Sequence, residues 1–512
     1  PPTIGFEGWT MIRKLWADRR GSYTIAFGLA GMTLVVAAGG TTDMMRYFDT
    51  RAKLQDAVDA TALFVATKHK NGESTDGTDT QLAQAQLAKL FDAKFGTVGT
   101  VTATSSSNSL TVTADASLSP YFLKIVNLNS LTSTATSTVT WNSQSLEVAL
   151  VLDTTGSMAS DDKLTNMKSA ATSLVDTLSA KASSNYSIKF ALVPFSNFVN
   201  VGSSNASAAW IDQGGTSRSS YYDSYFSEKQ DRMAVFTKVG KTWPGCVETR
   251  PPPYDMDETA PTTGTPDTLF VPAVHPDEPD NGSYIANDYM DDQTTGNGVT
   301  RMKNKKKYDS PKNVDLSNST LYSNYKVPKG PQFLCDVKPI QRLTTSYSSV
   351  KTQISALTAS GSTNVPEGIA WGWRALSPKA PFTDGKAYSD TENNKIMVVL
   401  TDGTNSINTF PTDLGGAYSS WGYPYSQRLG ASAGTNLRTG LDAKTREVCA
   451  KVKAAGIKVY TIGLMIDDGS GQQLLSDCSS GTSYYYNSPS ASQLQAIFDD
   501  IAKKISKLRI AS

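Results

Sequence analysis

The spacing of apolar residues changes several times along the chain, and each change marks a new element. Residues 21–42 form a run of 22 without a charge. As a helix rising 1.5 Å per residue they cover about 33 Å, close to the roughly 30 Å apolar core of a bilayer. Leu54, Ala57, Val58, Thr61, Ala62 and Val65 then recur at helical spacing, which predicts one helix continuing to about Lys68. A polar gap at 71–80 reads as a loop and 81–95 as a short helix. From 97 to 140 the period is two: LTVTADA (110–116) and STATSTVTW (133–141) alternate as half-buried strands do. Together these elements predict a small α+β unit attached to the first helix.

At Leu146 the alternation gives way to continuous apolar runs. LEVALVLD ends in Asp153, and IKFALVPF (188–195), KIMVVLTD (395–402) and IKVYTIGL (457–464) have the same character. Such runs suit strands buried on both faces of a parallel sheet. Helical stretches at 163–178, 347–357, 366–376 and 441–455 lie between them, and 491–508 closes the chain. Alternating strands and helices predict an α/β, doubly wound sheet. The pattern fails between 201 and about 340, a Tyr-, Ser-, Asn-, Asp- and Pro-rich insertion. Within it, 255–292 holds ten acidic residues and no Lys or Arg, and Arg301-Met302-Lys303-Asn304-Lys305-Lys306-Lys307 follows. Both charge blocks read as solvated loop.

Composition narrows the chemistry. Lys+Arg number 48 against 47 Asp+Glu in 512 residues, so no basic excess points to nucleic acid. His69 and His275 are the two histidines, too few for a multi-histidine zinc centre, and a Ser-His-Asp triad is disfavoured. Arg13, Lys14, Arg19 and Arg20 precede the uncharged run. The positive-inside rule then sets 1–20 in the cytoplasm and the bulk outside. A cleaved signal peptide, with Val36-Ala37-Ala38 as its site, is the alternative. In an exported chain Cys246 would pair with Cys335 and Cys449 with Cys478, free thiols being the alternative.

The strongest local signal is VLDTTGSM (151–158). A buried strand delivers Asp153, and Thr155 and Ser157 follow at two-residue steps. In an open α/β sheet a loop there faces the pocket beyond the strand ends. A second strand ends at Thr401-Asp402-Gly403, and Gly361-Ser362-Thr363-Asn364 precedes a helix. Asp153, Thr155, Ser157, Thr363 and Asp402 are hard oxygen donors, suited to Mg²⁺, or to Mn²⁺ or Ca²⁺, rather than to zinc.

Asp-x-Thr-x-Ser, a later Thr, and Asp-Gly after a buried strand resemble the metal ion-dependent adhesion site of von Willebrand factor A domains. The resemblance covers about 145–200 and 341–508 and implies those five residues as ligands. Aspartic proteases, P-type pumps and haloacid dehalogenase-type phosphatases carry related strings, but here there is no second Asp-Thr-Gly, one expected span where the pumps have many, and Thr155 in place of the phosphatases' second Asp. A loop that merely caps a helix is the structural alternative.

RRGSYTIAFGLAGMTLVVAAGGTTDMMRYFDTRAKLQDAVDATAL (19–63) is similar to the N-terminus of the TadE/TadG-like proteins of the Flp (tight-adherence) pilus machinery. WPGCVE (243–248) and GSTNVPEGIAWGWRALSP (361–378) resemble TadG-type proteins too. The expected domains are a cytoplasmic tail (1–20), a transmembrane helix (21–42), a pilin-like helix and α+β stalk (43–144), and a von Willebrand A domain (145–510) interrupted at 201–340. The resemblance implies a non-enzymatic, single-pass inner-membrane component of a pilus system with its bulk in the periplasm. Its metal site would grip an acidic side chain of another pilus-system protein, a TadE/TadF-like pseudopilin, a pilin or an outer-membrane component, and homo-oligomers are compatible with this. The rival expectations are a surface-displayed adhesin, a minor pilus subunit and a metal-dependent phosphohydrolase.

Overall fold

A computed structural model describes residues 19–70, 73–106, 109–140, 145–182, 187–218, 230–278, 287–312, 329–407, 418–430 and 435–508. The chain separates into two units, Pro1–Asn142 and Ser143–Ser512. The expected tail, 1–20, lies almost wholly outside the described residues.

In the first unit one helix runs over Arg19–Lys70. Its buried stripe, Leu54, Val58, Ala62 and Val65, repeats at the predicted spacing and packs on a three-stranded sheet. The strands are β1 (Thr97–Ser105), β2 (Ser109–Leu118) and β3 (Leu131–Thr140), antiparallel in that order. Along β2 the even-numbered residues Leu110, Val112, Ala114 and Ala116 are buried, which is the period-two pattern realised. The second helix, Asp79–Leu90, is shorter than expected, with a separate 3₁₀ turn at Ala93–Phe95. The expected span, 21–42, is the start of the long helix, and the side chains of its first seven residues are not described. Among the described residues no helix is long and apolar enough to cross a membrane.

The second unit is built on a six-stranded sheet of order β11-β10-β9-β4-β5-β8. The strands are β4 (Ser145–Asp153), β5 (Ile188–Phe195), β8 (Gln341–Thr344), β9 (Asn393–Thr401), β10 (Lys458–Leu464) and β11 (Tyr485–Ser488). All neighbours are parallel except β5 and β8, so the sheet is mixed and mostly parallel. Leu146, Val148, Leu150 and Leu152 of β4 face helices Lys163–Ser179, Tyr347–Ser355 and Leu494–Leu508. Ala149 and Val151 face Val365–Leu376 and Thr435–Ala454. The sheet is therefore covered on both sides, as the continuous apolar runs require.

In the insertion β7 (Cys246–Val247) pairs with β6 (Val199–Asn200), which precedes it, and the described residues include two short helices, Arg232–Lys238 and Gly298–Lys303. The insertion's charge blocks are solvated only in part: Asp291, Lys305 and Lys306 are exposed. Asp255, Asp277, Asp292 and Lys307 are buried, and Lys307 Nζ lies 2.8 Å from Asp277 and 3.1 Å from Asp292. Acidic and basic blocks neutralise each other inside the fold, as buried charges must. Arg232 and Glu248, both fully buried, pair at 3.0 Å. Cys246 is bonded to Cys335 and Cys449 to Cys478. The insertion enters and leaves the sheet at one place, since the Ile340 N–H donates to Asn200 O at 2.8 Å.

Candidate metal centre

The loop after β4 starts at Asp153, which is fully buried. Its Oδ1 accepts the Thr155 N–H at 2.7 Å and its Oδ2 accepts the Thr401 hydroxyl at 2.6 Å. The hydroxyls of Thr155 and Ser157 are 3.0 Å apart, and Ser157 donates to Asp402 Oδ1 at 2.7 Å. A Cβ built on Gly403 would lie 3.6 Å from Thr363 Oγ1 and 4.0 Å from Ser157 Oγ. The three segments therefore bring Asp153, Thr155, Ser157, Thr363 and Asp402 to one edge of the sheet, beyond the carboxyl ends of β4 and β9.

Backbone contacts hold the loops together across a long sequence separation. The Gly156 N–H donates to Gly361 O at 2.9 Å, and the Ser360 N–H to Thr154 O at 2.8 Å. The Thr363 N–H donates to Ser406 Oγ at 3.2 Å, and the Ser406 N–H returns to Thr363 O at 2.8 Å. Asn197 Oδ1 accepts the Ser362 N–H. Asn364 donates to Ser420 Oγ at 2.9 Å and accepts from Trp421 Nε1 at 3.2 Å. Residues 418–423 thus brace the Thr363 loop, which is why the insertion does not dislodge it.

Two carboxylates close together need a counter-charge. Burial, and after it the Asp402 carboxylate, push Asp153 up to about 7, against the hydroxyl and backbone donors that favour its anion. One counter-charge is already present: Lys163 Nζ, nearly buried, lies 2.9 Å from Asp402 Oδ2. Reading by motif missed this lysine, although it opens the helix after VLDTTGSM. The donor set is all oxygen, with two carboxylates and three hydroxyls, so the residues fit a hard divalent cation. Such an ion would be held by these five residues.

A second titratable group lies in the first unit. His69, Asp76 and Asp79 have ligand-type atoms within 4.8 Å of one another. His69 Nδ1 lies 2.6 Å from the buried Asp79 Oδ2, a polar contact that joins the end of the long helix to the start of the next.

Residues 21–68 match the family model for Flp pilus-assembly TadE/G-like proteins. Among curated proteins none matches the chain. Three solved structures with similarity are all at low identity. The von Willebrand factor domain of the type V pili tip protein Mfa5 of Porphyromonas gingivalis is 10% identical, with 72% of this chain and 98% of that one covered and a TM-score of 0.34. The PilB minor pilin of Streptococcus sanguinis is 14% identical, with 80% and 78% covered and a TM-score of 0.33. The pilus adhesin SpaC of Lactobacillus rhamnosus GG is 12% identical with a TM-score of 0.32; 79% of this chain is covered, and the match spans 34% of that chain. The second unit's fold is recognised here by its own strand order, its single antiparallel edge strand and the loop after β4. The chain joins a TadE/G-like N-terminal segment to a von Willebrand factor A-like unit.

Proposed function

We propose that this protein is a membrane-anchored, non-enzymatic component of an Flp-type pilus system that binds a partner through a divalent cation. The observation that carries the reading is the convergence of Asp153, Thr155, Ser157, Thr363 and Asp402 from three separate segments. Five oxygen donors leave one position of an octahedral Mg²⁺ shell, which a partner carboxylate would complete. The family match over 21–68 supports the pilus setting. The uncharged run at 21–42 supports a single span in the inner membrane with the chain from Asp43 onward on its periplasmic side.

Two measurements test the reading. Asp153→Ala abolishes Mg²⁺ binding in titration calorimetry while the far-UV dichroism stays native; unchanged affinity would sink the metal site. Cells lacking the gene lose surface pili, and wild type but not Asp153→Ala restores them. Unchanged pilus number in the deletion rules out an assembly role, and a loss of surface attachment in those same cells would identify an adhesin instead.

A further inference from the structure

The connection between β2 and β3, residues 119–130, is fastened to the long helix from below. Asp43, fully buried, accepts the backbone N–H groups of Tyr121, Phe122 and Leu123 at 2.8, 2.7 and 2.9 Å. The Phe122 ring lies directly on the helix backbone: a Cβ on Gly39 would come within 2.2 Å of it. Leu123 occupies the space beside Gly40, at 3.3 Å by the same measure. The Arg46 guanidinium covers the Tyr121 ring at 3.9 Å. The connection is thus docked one turn N-terminal of Asp43, level with the last residues of the uncharged run.

Other apolar side chains of the connection are nevertheless exposed. Ile125, Val126 and Leu128 are 49%, 57% and 43% exposed, and Tyr121 is 68% exposed. The neighbouring helix surface is of the same kind, with Met32, Leu34, Val35, Met44, Met45 and Phe48 exposed. A soluble surface seldom gathers so many large apolar groups without a partner. Residues 119–130 carry no Asp or Glu, and their one charge is Lys124. An apolar tip, a tyrosine and basic groups are the composition that settles at the boundary of an anionic bilayer.

We propose that residues 119–130 form a second membrane contact, a foot whose Ile125, Val126 and Leu128 enter the headgroup boundary of the bilayer crossed by residues 21–42. This rests on the span proposed above and goes beyond it: the foot would fix how deeply the helix sits and hold the stalk against tilting.

The four native cysteines are paired, so an introduced thiol can be labelled selectively in the full chain. Val126→Cys, Val35→Cys and Lys89→Cys would each carry an NBD fluorophore in vesicles of phosphatidylcholine and phosphatidylglycerol. Both probes at 126 and 35 are expected to be quenched by lipids with a nitroxide high on the acyl chain and sheltered from aqueous iodide. The probe at Lys89, on an exposed helix position, is expected to show the reverse. Lipid quenching at 35 with aqueous behaviour at 126 overturns the foot and leaves the span standing. Aqueous behaviour at both positions overturns span and foot together. A blue-shifted probe at 126 that no nitroxide lipid quenches means a protein covers the site, which also overturns the proposal.

Discussion

At the scale of single residues, the site depends on positions where chemistry leaves no choice. Gly361 has φ +84, and a Cβ there would lie 2.5 Å from Asn197 Oδ1, the acceptor for the next N–H in the Thr363 loop. Gly361→Ala is expected to cost about 1–3 kcal/mol, typical of backbone strain. It should weaken Mg²⁺ binding at the same time, which calorimetry on the purified protein would show. A proton competes with the metal at Asp153, whose raised pKa of about 7 means the apo site is partly protonated at neutral pH. Metal affinity should therefore fall as pH drops through 7, and a pH-independent affinity between 6 and 8 would contradict the assignment. His275 gives the second pH signature. Burial holds it down to about 3, among Phe333, Tyr418 and Tyr423. Below its unfolded pKa of about 6.5 the unfolded chain takes up a proton that the folded chain refuses. Stability is therefore intact above that pH and declines by about 1.4 kcal/mol per pH unit on acidification, until pH nears the folded value. Denaturant titrations at pH 7 and 5 should differ accordingly, with the difference reduced in His275→Gln.

At the scale of elements, the helix Val365–Leu376 approaches the sheet through glycines. A Cβ on Gly372 would sit 2.5 Å from Val151 Cγ2 in β4, and one on Gly368 2.6 Å from the Phe195 ring. Alanine gains about 1 kcal/mol in helix propensity over glycine. Overpacking against a central strand costs more, about 1–3 kcal/mol, so Gly372→Ala should lower the melting temperature. Four of the six strands of this sheet were legible as apolar runs, because burial on both faces removes any alternation. The edge strands β8 and β11 were not: QRLT and YYNS are four residues long and mostly polar. The order of the insertion was also hidden. It comes from pairings such as Lys307 with Asp277 and Arg232 with Glu248, and distant charges announce no period. For the site, the strand-end carboxylates and the hydroxyl steps could be read directly. Lys163 could not, since one lysine at a helix start looks like any other.

At the scale of the molecule, the insertion is a closed excursion rather than a gap. Cys246–Cys335 staples residues 89 apart in sequence, inside a segment whose ends meet at Asn200 and Ile340. Replacing both cysteines by serine should cost about 2–4 kcal/mol, seen as a lower melting temperature of the second unit. The first unit, which has no cysteine, should melt unchanged. The placement of the metal residues has a mechanical consequence as well. A pull on the first unit would reach the second near Ser145, and a partner held at the proposed site would pull in part at Asp153, the two ends of β4. Tension between anchor and cargo would then run partly along that strand and partly into β9 and the Thr363 loop, through Asp402 and Thr363. Strand β4 is gripped on one side by β5 through Leu146–Asp153 and on the other by β9 through Ser145–Leu152. A load on β4 would therefore be shared with both neighbouring strands through parallel ladders that flank nearly its whole length.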